Sequence, residues 1–225
     1  MKPRHTRGQR GLISADLVQA ALLEIERAGL EGFSLRCAAR AIGCDVATLS
    51  YHFGSKEGLE RAVADRLQAS VEAPERKLPW QTRFVETAKA YRKLARQFPN
   101  AFPLLLRFWT SGPIDLQLAE ECYQTLLDAG VPEADIPALS FATYAGILGV
   151  CAGEIGGLLQ KPSPEALREV EEQSGLPLTK KLLPTFAQLK DDDVFEAAIS
   201  NLISGIEAQV AKHKEKLQSA ATAQS

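Results

Sequence analysis

The sequence predicts an all-α protein, and three observations carry that prediction. Apolar residues recur at helical spacing through most of the 225 residues. No segment sustains the alternation of a half-buried strand, and no Asn-Gly or Asp-Gly pair marks a hairpin. Residues suited to starting and stopping helices sit between the periodic stretches.

Taken in order, Ser14 is placed to cap a first helix whose apolar face (Leu17, Ala20, Ala21, Leu23, Ala28) runs to Gly29. Ser34 caps a short second helix that Gly43 ends, and Asp45 caps a third through Val46, Leu49 and Phe53. Ser55 opens a fourth, expected to reach about Glu72 before Pro74 and Pro79. That break divides the chain into domains at 1–72 and 78–218. Beyond it, helices are expected near 80–97, 101–110, 114–129, 133–160, 164–174, 179–189 and 192–216. Pro99, Gly112-Pro113, Gly130, Pro162, Gly175-Leu176-Pro177 and the acidic run 191–193 punctuate them.

Composition narrows the function classes. With 45% hydrophobic and 24% charged residues, the chain is an ordinary globular one. No run of about 18 apolar residues is read in the chain, so no membrane span is expected, and the basic start MKPRHTRGQRG lacks the apolar stretch of a signal peptide. Cys37, Cys44, Cys122 and Cys151 show no paired spacing and read as reduced thiols in a cytoplasm. No HExxH, GxSxG or Walker A sequence is present. Glu120-Glu121 and Glu171-Glu172 are adjacent pairs that point apart on a helix, and Glu154, a possible buried ligand contact, is no mechanism alone. An enzyme is therefore not expected, nor a cofactor or a metal. Net charge is −2, but residues 1–56 hold eight Lys/Arg against five acids, so the N-terminal end is basic and the rest acidic. A basic arm of Lys2, Arg4, Arg7 and Arg10 would add salt-dependent affinity for phosphates.

Residues 35–53 meet the demands of a helix-turn-helix. Ala39 is small where the helices cross, Gly43 makes the turn, and Ile42, Val46, Leu49 and Phe53 are apolar anchors. The outer side of the short helix offers Ala47, Thr48, Ser50, Tyr51 and His52, whose hydroxyl, imidazole and methyl groups suit phosphates, base edges and thymine methyls.

The block FSLRCAARAIGCDVATLSYHFGSKEGL, within residues 11–67, resembles the N-terminal domain of the tetracycline-repressor (TetR) family of regulators. The resemblance implies an N-terminal three-helix DNA-binding domain with a helix-turn-helix, followed by a C-terminal helical ligand-binding and dimerisation bundle. It implies a homodimer that binds double-stranded operator DNA, as a repressor released by a small-molecule effector. It places Ser34 and Arg36 on the supporting helix, Val46, Ala47, Thr48, Ser50, Tyr51 and His52 on the recognition helix, and Lys56 facing the backbone. Ser50 departs from the tyrosine usual at its position, which puts operator spacing and base preference in doubt. A helical protein-binding adaptor with weak or no DNA affinity is the alternative.

In the C-terminal half, residues 80–110 hold seven of the fifteen aromatics. The family implies an effector pocket there, and an apolar or aromatic ligand is expected against Phe84, Tyr91, Phe102, Phe108, Trp109, Tyr123 and Tyr144. Arg107 and Thr110 are further polar candidates. The segment Phe98 to Glu154 also resembles the tetracycline-binding repressors, which hold a magnesium–drug chelate with a histidine. His5, His52 and His213 lie outside that segment, so a chelated tetracycline is not expected. Ala142, Gly146, Gly149, Gly153 and Gly156 share one helix face, as do Val194, Ala198, Leu202, Gly205 and Gln209. Glycines within a helix cost about 1 kcal/mol each relative to alanine, and close helix approach across a two-fold axis would offset that. Gly146, Gly149, Gly153, Ala198, Leu202 and Gly205 are accordingly the candidate dimer interface, with packing inside one chain as the alternative. The segment PTFAQLKDDDVFEAAISNLISGIEAQV likewise resembles the family's closing dimerisation helix.

Overall fold

Three short helices follow one another so closely that their caps determine where the chain can turn. Ser34 Oγ accepts from the Cys37 amide at 3.2 Å, Asp45 Oδ1 from the Thr48 amide at 2.6 Å, and Ser55 Oγ from the Gly58 amide at 3.0 Å. They open α2 (Leu35–Ile42), α3 (Val46–Phe53) and α4 (Lys56–Gln68). Gly43 ends α2 with φ at 76°, a left-handed conformation that side chains with a Cβ rarely adopt, and its N–H reaches back to the Ala39 and Arg40 carbonyls. Helices of eight residues are too short to persist alone in water. Fully buried Leu49 and the buried pair Ala38 and Ala39 hold them to α1 (Arg7–Gly32) and α4.

The computed structural model describes residues 7–158 and 161–223. The first helix starts before Ser14, which therefore sits inside α1 and caps nothing. Its regular path does stop at Gly29, where φ is 72° and ψ 164°. Of the basic arm, Lys2 and Arg4 lie outside the described residues, and Arg7 and Arg10 fall within α1. The fourth helix ends at Gln68 rather than near Glu72.

Then follow α5 (Trp80–Gln97), a 3-10 turn (Phe102–Leu106), α6 (Pro113–Ala129), α7 (Ile136–Ile155), α8 (Pro164–Glu172), α9 (Pro177–Phe186) and α10 (Asp191–Ala223). A brief 3-10 turn, Glu133–Asp135, leads into α7. The helix expected at 101–110 is thus one tight turn, because Pro103 and the buried Phe102, Leu104 and Leu105 fold it against α4. No strand occurs among the described residues. The interior is one continuous apolar core from Leu17 to Val210, with α7 packed among α5, α6 and α10.

Helix α7 differs from expectation in one respect. By length and composition the stretch Glu133–Ile155 is apolar enough to cross a membrane. Here one face is core (Leu139, Thr143, Ile147, Leu148, Cys151), while Phe141, Ala142, Ala145 and Gly149 are exposed. Helices α8 and α9 pack mainly on each other and bury no residue fully.

Candidate nucleic-acid interface and effector cavity

The helix-turn-helix residues fall into two sets. Arg36, Val46, Ala47 and Tyr51 are exposed on α2 and α3, with Tyr51 78% accessible. Ser50 and His52 are half-buried, and the His52 ring lies edge-on to Tyr51 at 5.4 Å. The others are already engaged within the chain. Ser34 is the α2 cap, and Thr48 donates both its amide and its Oγ1 (2.8 Å) to Asp45, whose carboxyl those bonds hold below its ordinary pKa. Lys56 Nζ lies 3.5 Å from Glu60 and 5.7 Å from the centre of the Phe33 ring. One exposed cation was missed. Arg40 stands one turn beyond Arg36 on α2, and its i, i+4 spacing was the available signal. Beside it the Cys37 thiol is lowered by its bond with Ser34 and by Arg40.

The second site is a cavity of about 140 Å³ between α5, α6 and α7, with the 71–74 loop at one margin. Phe84, Tyr91, Trp109, Tyr123 and Tyr144 line it, as do Thr110 and Cys122. Phe102 and Phe108 do not. Phe102 is fully buried in the core beneath α4, and Phe108 packs against that core from outside. Arg107 is also absent from the cavity and faces Glu60 at 3.4 Å. Glu154, considered above as a ligand contact, is held instead by Arg92 Nε at 2.7 Å and Arg96 Nε at 2.5 Å. Burial pushes the Cys122 thiol up to about 11 and raises both the Tyr91 and Tyr144 phenols.

Helix α4 is fastened to this cavity by a row of polar contacts. Arg61 Nε donates to the Thr110 carbonyl at 2.9 Å. Asp65 Oδ1 accepts from the amides of Ile114 (3.1 Å) and Asp115 (3.3 Å), so a side chain of α4 satisfies the start of α6. A Cβ at Gly112 would fall 2.6–2.8 Å from that carboxyl, so a side chain there would push the Asp65 carboxylate away from the start of α6. At the end of α4, Gln68 Nε2 donates to Asp115 Oδ1 (2.8 Å) and Tyr144 Oη (2.9 Å), while Tyr91 Oη donates to Gln68 Oε1 (2.8 Å). All three of its partners line the cavity. Gln68 was not singled out from sequence, since its partners lie 23 to 76 positions away.

The candidate dimer residues separate in the same way. A Cβ on Gly146 would meet Leu202 of the same chain at 3.0 Å, and one on Gly153 would meet Leu158 at 3.3 Å. Gly146 thus packs on Leu202 of its own chain, whereas the Leu158 beside Gly153 is itself exposed. Gly149 and Gly205 have open space where a Cβ would stand, and Ala198 is half-buried.

A four-helix head with an outward-facing helix-turn-helix, joined through one helix to a cavity-bearing bundle, defines a DNA-binding regulator with a sensor domain. Residues 17–63 match the model of bacterial regulatory proteins of the tetR family, and residues 73–210 match the tetracyclin repressor-like C-terminal domain. The chain belongs to the TetR family of transcriptional regulators. It is 21% identical over 197 residues to the class A tetracycline repressor protein from transposon 1721 of Escherichia coli, covering 84% of this chain and 88% of that one. Among solved structures it resembles Streptomyces coelicolor ActR in complex with actinorhodin, with a TM-score of 0.77 at 18% identity over 88% of this chain and 97% of that one. It also resembles BioQ, a protein of Mycobacterium smegmatis, in complex with its double-stranded DNA operator. There the TM-score is 0.63 at 20% identity, over 87% of this chain and 98% of that one.

Proposed function

We propose that this regulator acts in the cytoplasm as a homodimeric repressor, released from a palindromic operator when an aromatic or largely apolar molecule enters the cavity. The observation that carries the reading is Gln68. One amide on the last turn of the DNA-binding head bonds three groups of the cavity wall, so filling the cavity and posing the head are coupled through shared hydrogen bonds. A ligand that displaces Tyr91 or Tyr144 leaves one polar group of the buried Gln68 amide unsatisfied, at about 1–3 kcal/mol, unless α4 moves with it. The heads of a dimer need a spacing near 34–36 Å to enter successive major grooves, so a small swing of α4 suffices.

Arg36, Val46, Ala47, Ser50, Tyr51 and His52 are the proposed base and phosphate contacts, with Arg40 added to the phosphate set. Ser34 and Thr48 act by shaping the two helices, and Lys56, partly exposed beside Glu60, keeps N–H groups for a backbone phosphate. The exposed apolar face of α7 around Phe141, Ala145 and Gly149, with Gly205 on α10, supports a two-fold contact. ActR with actinorhodin and BioQ with its operator are complexes of the two kinds proposed here.

The test begins with selection of bound duplexes from a random pool, then operator affinity with and without aromatic compounds that raise the melting temperature. Selection should return an inverted repeat, and saturating compound should lower affinity at least fivefold. A set of compounds that all stabilise the protein yet leave operator affinity unchanged would overturn the coupling.

A further inference from the structure

We propose that the effector carries an uncharged acceptor oxygen, a carbonyl, which Arg83 binds inside the cavity; this deepens the effector reading and rests on it. Arg83 lies in the first turn of α5, lines the cavity and is 3% exposed. One of its nitrogens, Nη2, pairs with Asp128. The other two, Nε and Nη1, are buried and have no hydrogen-bond partner among the described residues. A buried guanidinium with idle N–H groups is costly, and an acceptor brought by a ligand would remove that cost.

The charges around Arg83 decide which acceptor fits. Asp128 already balances the guanidinium, and Glu121 is balanced by Arg76 through bonds of 3.0 and 2.7 Å. Glu72 also lines the cavity. A carboxylate ligand would bring further negative charge to a place where acids already match or outnumber bases, whereas a carbonyl takes the free N–H without adding charge. A second idle group marks the far end. Thr110 Oγ1 is buried, lines the cavity and has no partner among the described residues. The lining of α6 runs from Asp115 to Leu126, which spans roughly 16 Å at helical rise, so an elongated molecule could meet both ends.

Three probes of nearly the same outline separate these ideas: 2-acetonaphthone, 2-ethylnaphthalene and 2-naphthoate. They are titrated into the full-length protein while tryptophan emission is followed, since Trp109 lines the cavity, and the affinities are checked by calorimetry. The ketone should bind about tenfold more tightly than the hydrocarbon, as sites built around a polar contact reject analogues that lack it. It should also bind more tightly than the acid. Arg83→Lys keeps a cation opposite Asp128 but removes the idle nitrogens, and should erase the ketone's advantage while hydrocarbon affinity is retained. Arg83→Met should do the same, and the lysine variant guards against a folding defect. Equal affinity for ketone and hydrocarbon, or an advantage that survives in the lysine variant, overturns Arg83 as the acceptor's partner and leaves the cavity reading standing. An acid that binds more tightly than the ketone overturns the uncharged assignment. Binding of none of the three overturns the proposal together with the cavity as an aromatic effector site.

Discussion

The two regions that meet along α4 are built on opposite plans. In the DNA-binding head, the proposed contacts point outward from two eight-residue helices whose positions are fixed by nearby caps and by Leu49. In the sensor domain, the contacts point inward and come from segments between Val71 and Ile147. An outward-facing motif is carried by consecutive residues, so the family model matches it in one short stretch, 17–63. An inward-facing cavity depends on which long helices lie side by side, and its chemistry can change without disturbing the fold. The head therefore shows what class the protein belongs to, and the cavity shows what is individual about it.

The largest effects should separate the two plans. Arg36→Ala with Tyr51→Ala should weaken operator binding by about 1–3 kcal/mol for each lost contact while effector affinity stays as in the parent. Calorimetry with an effector and gel shift with the selected operator check both halves. Loss of effector binding in this variant would show that the head and cavity are not separable.

The paired glycines sharpen the contrast within the sensor domain. Gly149→Leu should weaken the dimer, since overpacking costs about 1–3 kcal/mol per site and a two-fold contact feels it twice. Gly146→Leu should instead lower the melting temperature of the protomer, because Leu202 of its own chain occupies the space. Sedimentation across protein concentrations distinguishes the two, and a Gly149→Leu protein that stays dimeric at low micromolar concentration would place the interface elsewhere.

A third substitution addresses the joint. Gln68→Met keeps the volume but removes the amide, so operator and effector should each still bind while the effect of one on the other shrinks. Coupling of this kind is typically worth about 1–3 kcal/mol. Full coupling in the variant would move transmission to Asp65 and the start of α6.

The smallest effect concerns the thiols. Cys37 in the head is lowered by Ser34 and Arg40, whereas burial pushes Cys122 up to about 11 and Cys151 up to about 12. Iodoacetamide should therefore modify Cys37 first, Cys122 more slowly from the cavity, and Cys151 only on unfolding. For half-buried Cys122 and buried Cys151 the folded pKa lies above the ordinary value of 9.0. Between about 9 and 11 the unfolded chain has lost protons that the folded one keeps, so stability falls as pH rises through that window. A melting temperature that is flat over that range would contradict the assigned burial.

What the sequence made legible follows the same division. Ser34, Asp45 and Ser55 could be read as caps because a cap acts on an amide three residues away, and Gly43 because its turn is local. Most C-terminal helices were expected within a few residues of their observed ends for the same reason. Ser14 failed because α1 begins earlier and carries it inside the helix. Cavity residues were harder. Aromatics at helical spacing look alike whether they face core or cavity, so Phe102 was grouped with Phe84 and Tyr91 although only the latter two line the space. Nothing near Arg83 or Gln68 in the chain signals that α6 and α7 close over them.

The grip on Gln68 has a further consequence for what the sensor can hear. Two of the three groups holding that amide are phenols, and burial keeps both Tyr91 and Tyr144 protonated well beyond the acidity at which an exposed tyrosine would ionise. Changes of pH near neutrality leave these two bonds unaltered, as they would for any phenol, and burial extends that range to more alkaline pH. A histidine in their place would have mixed two messages, one about protons and one about the effector. With phenols, the message that we propose passes along α4 through these bonds concerns one variable, the presence of the molecule in the cavity.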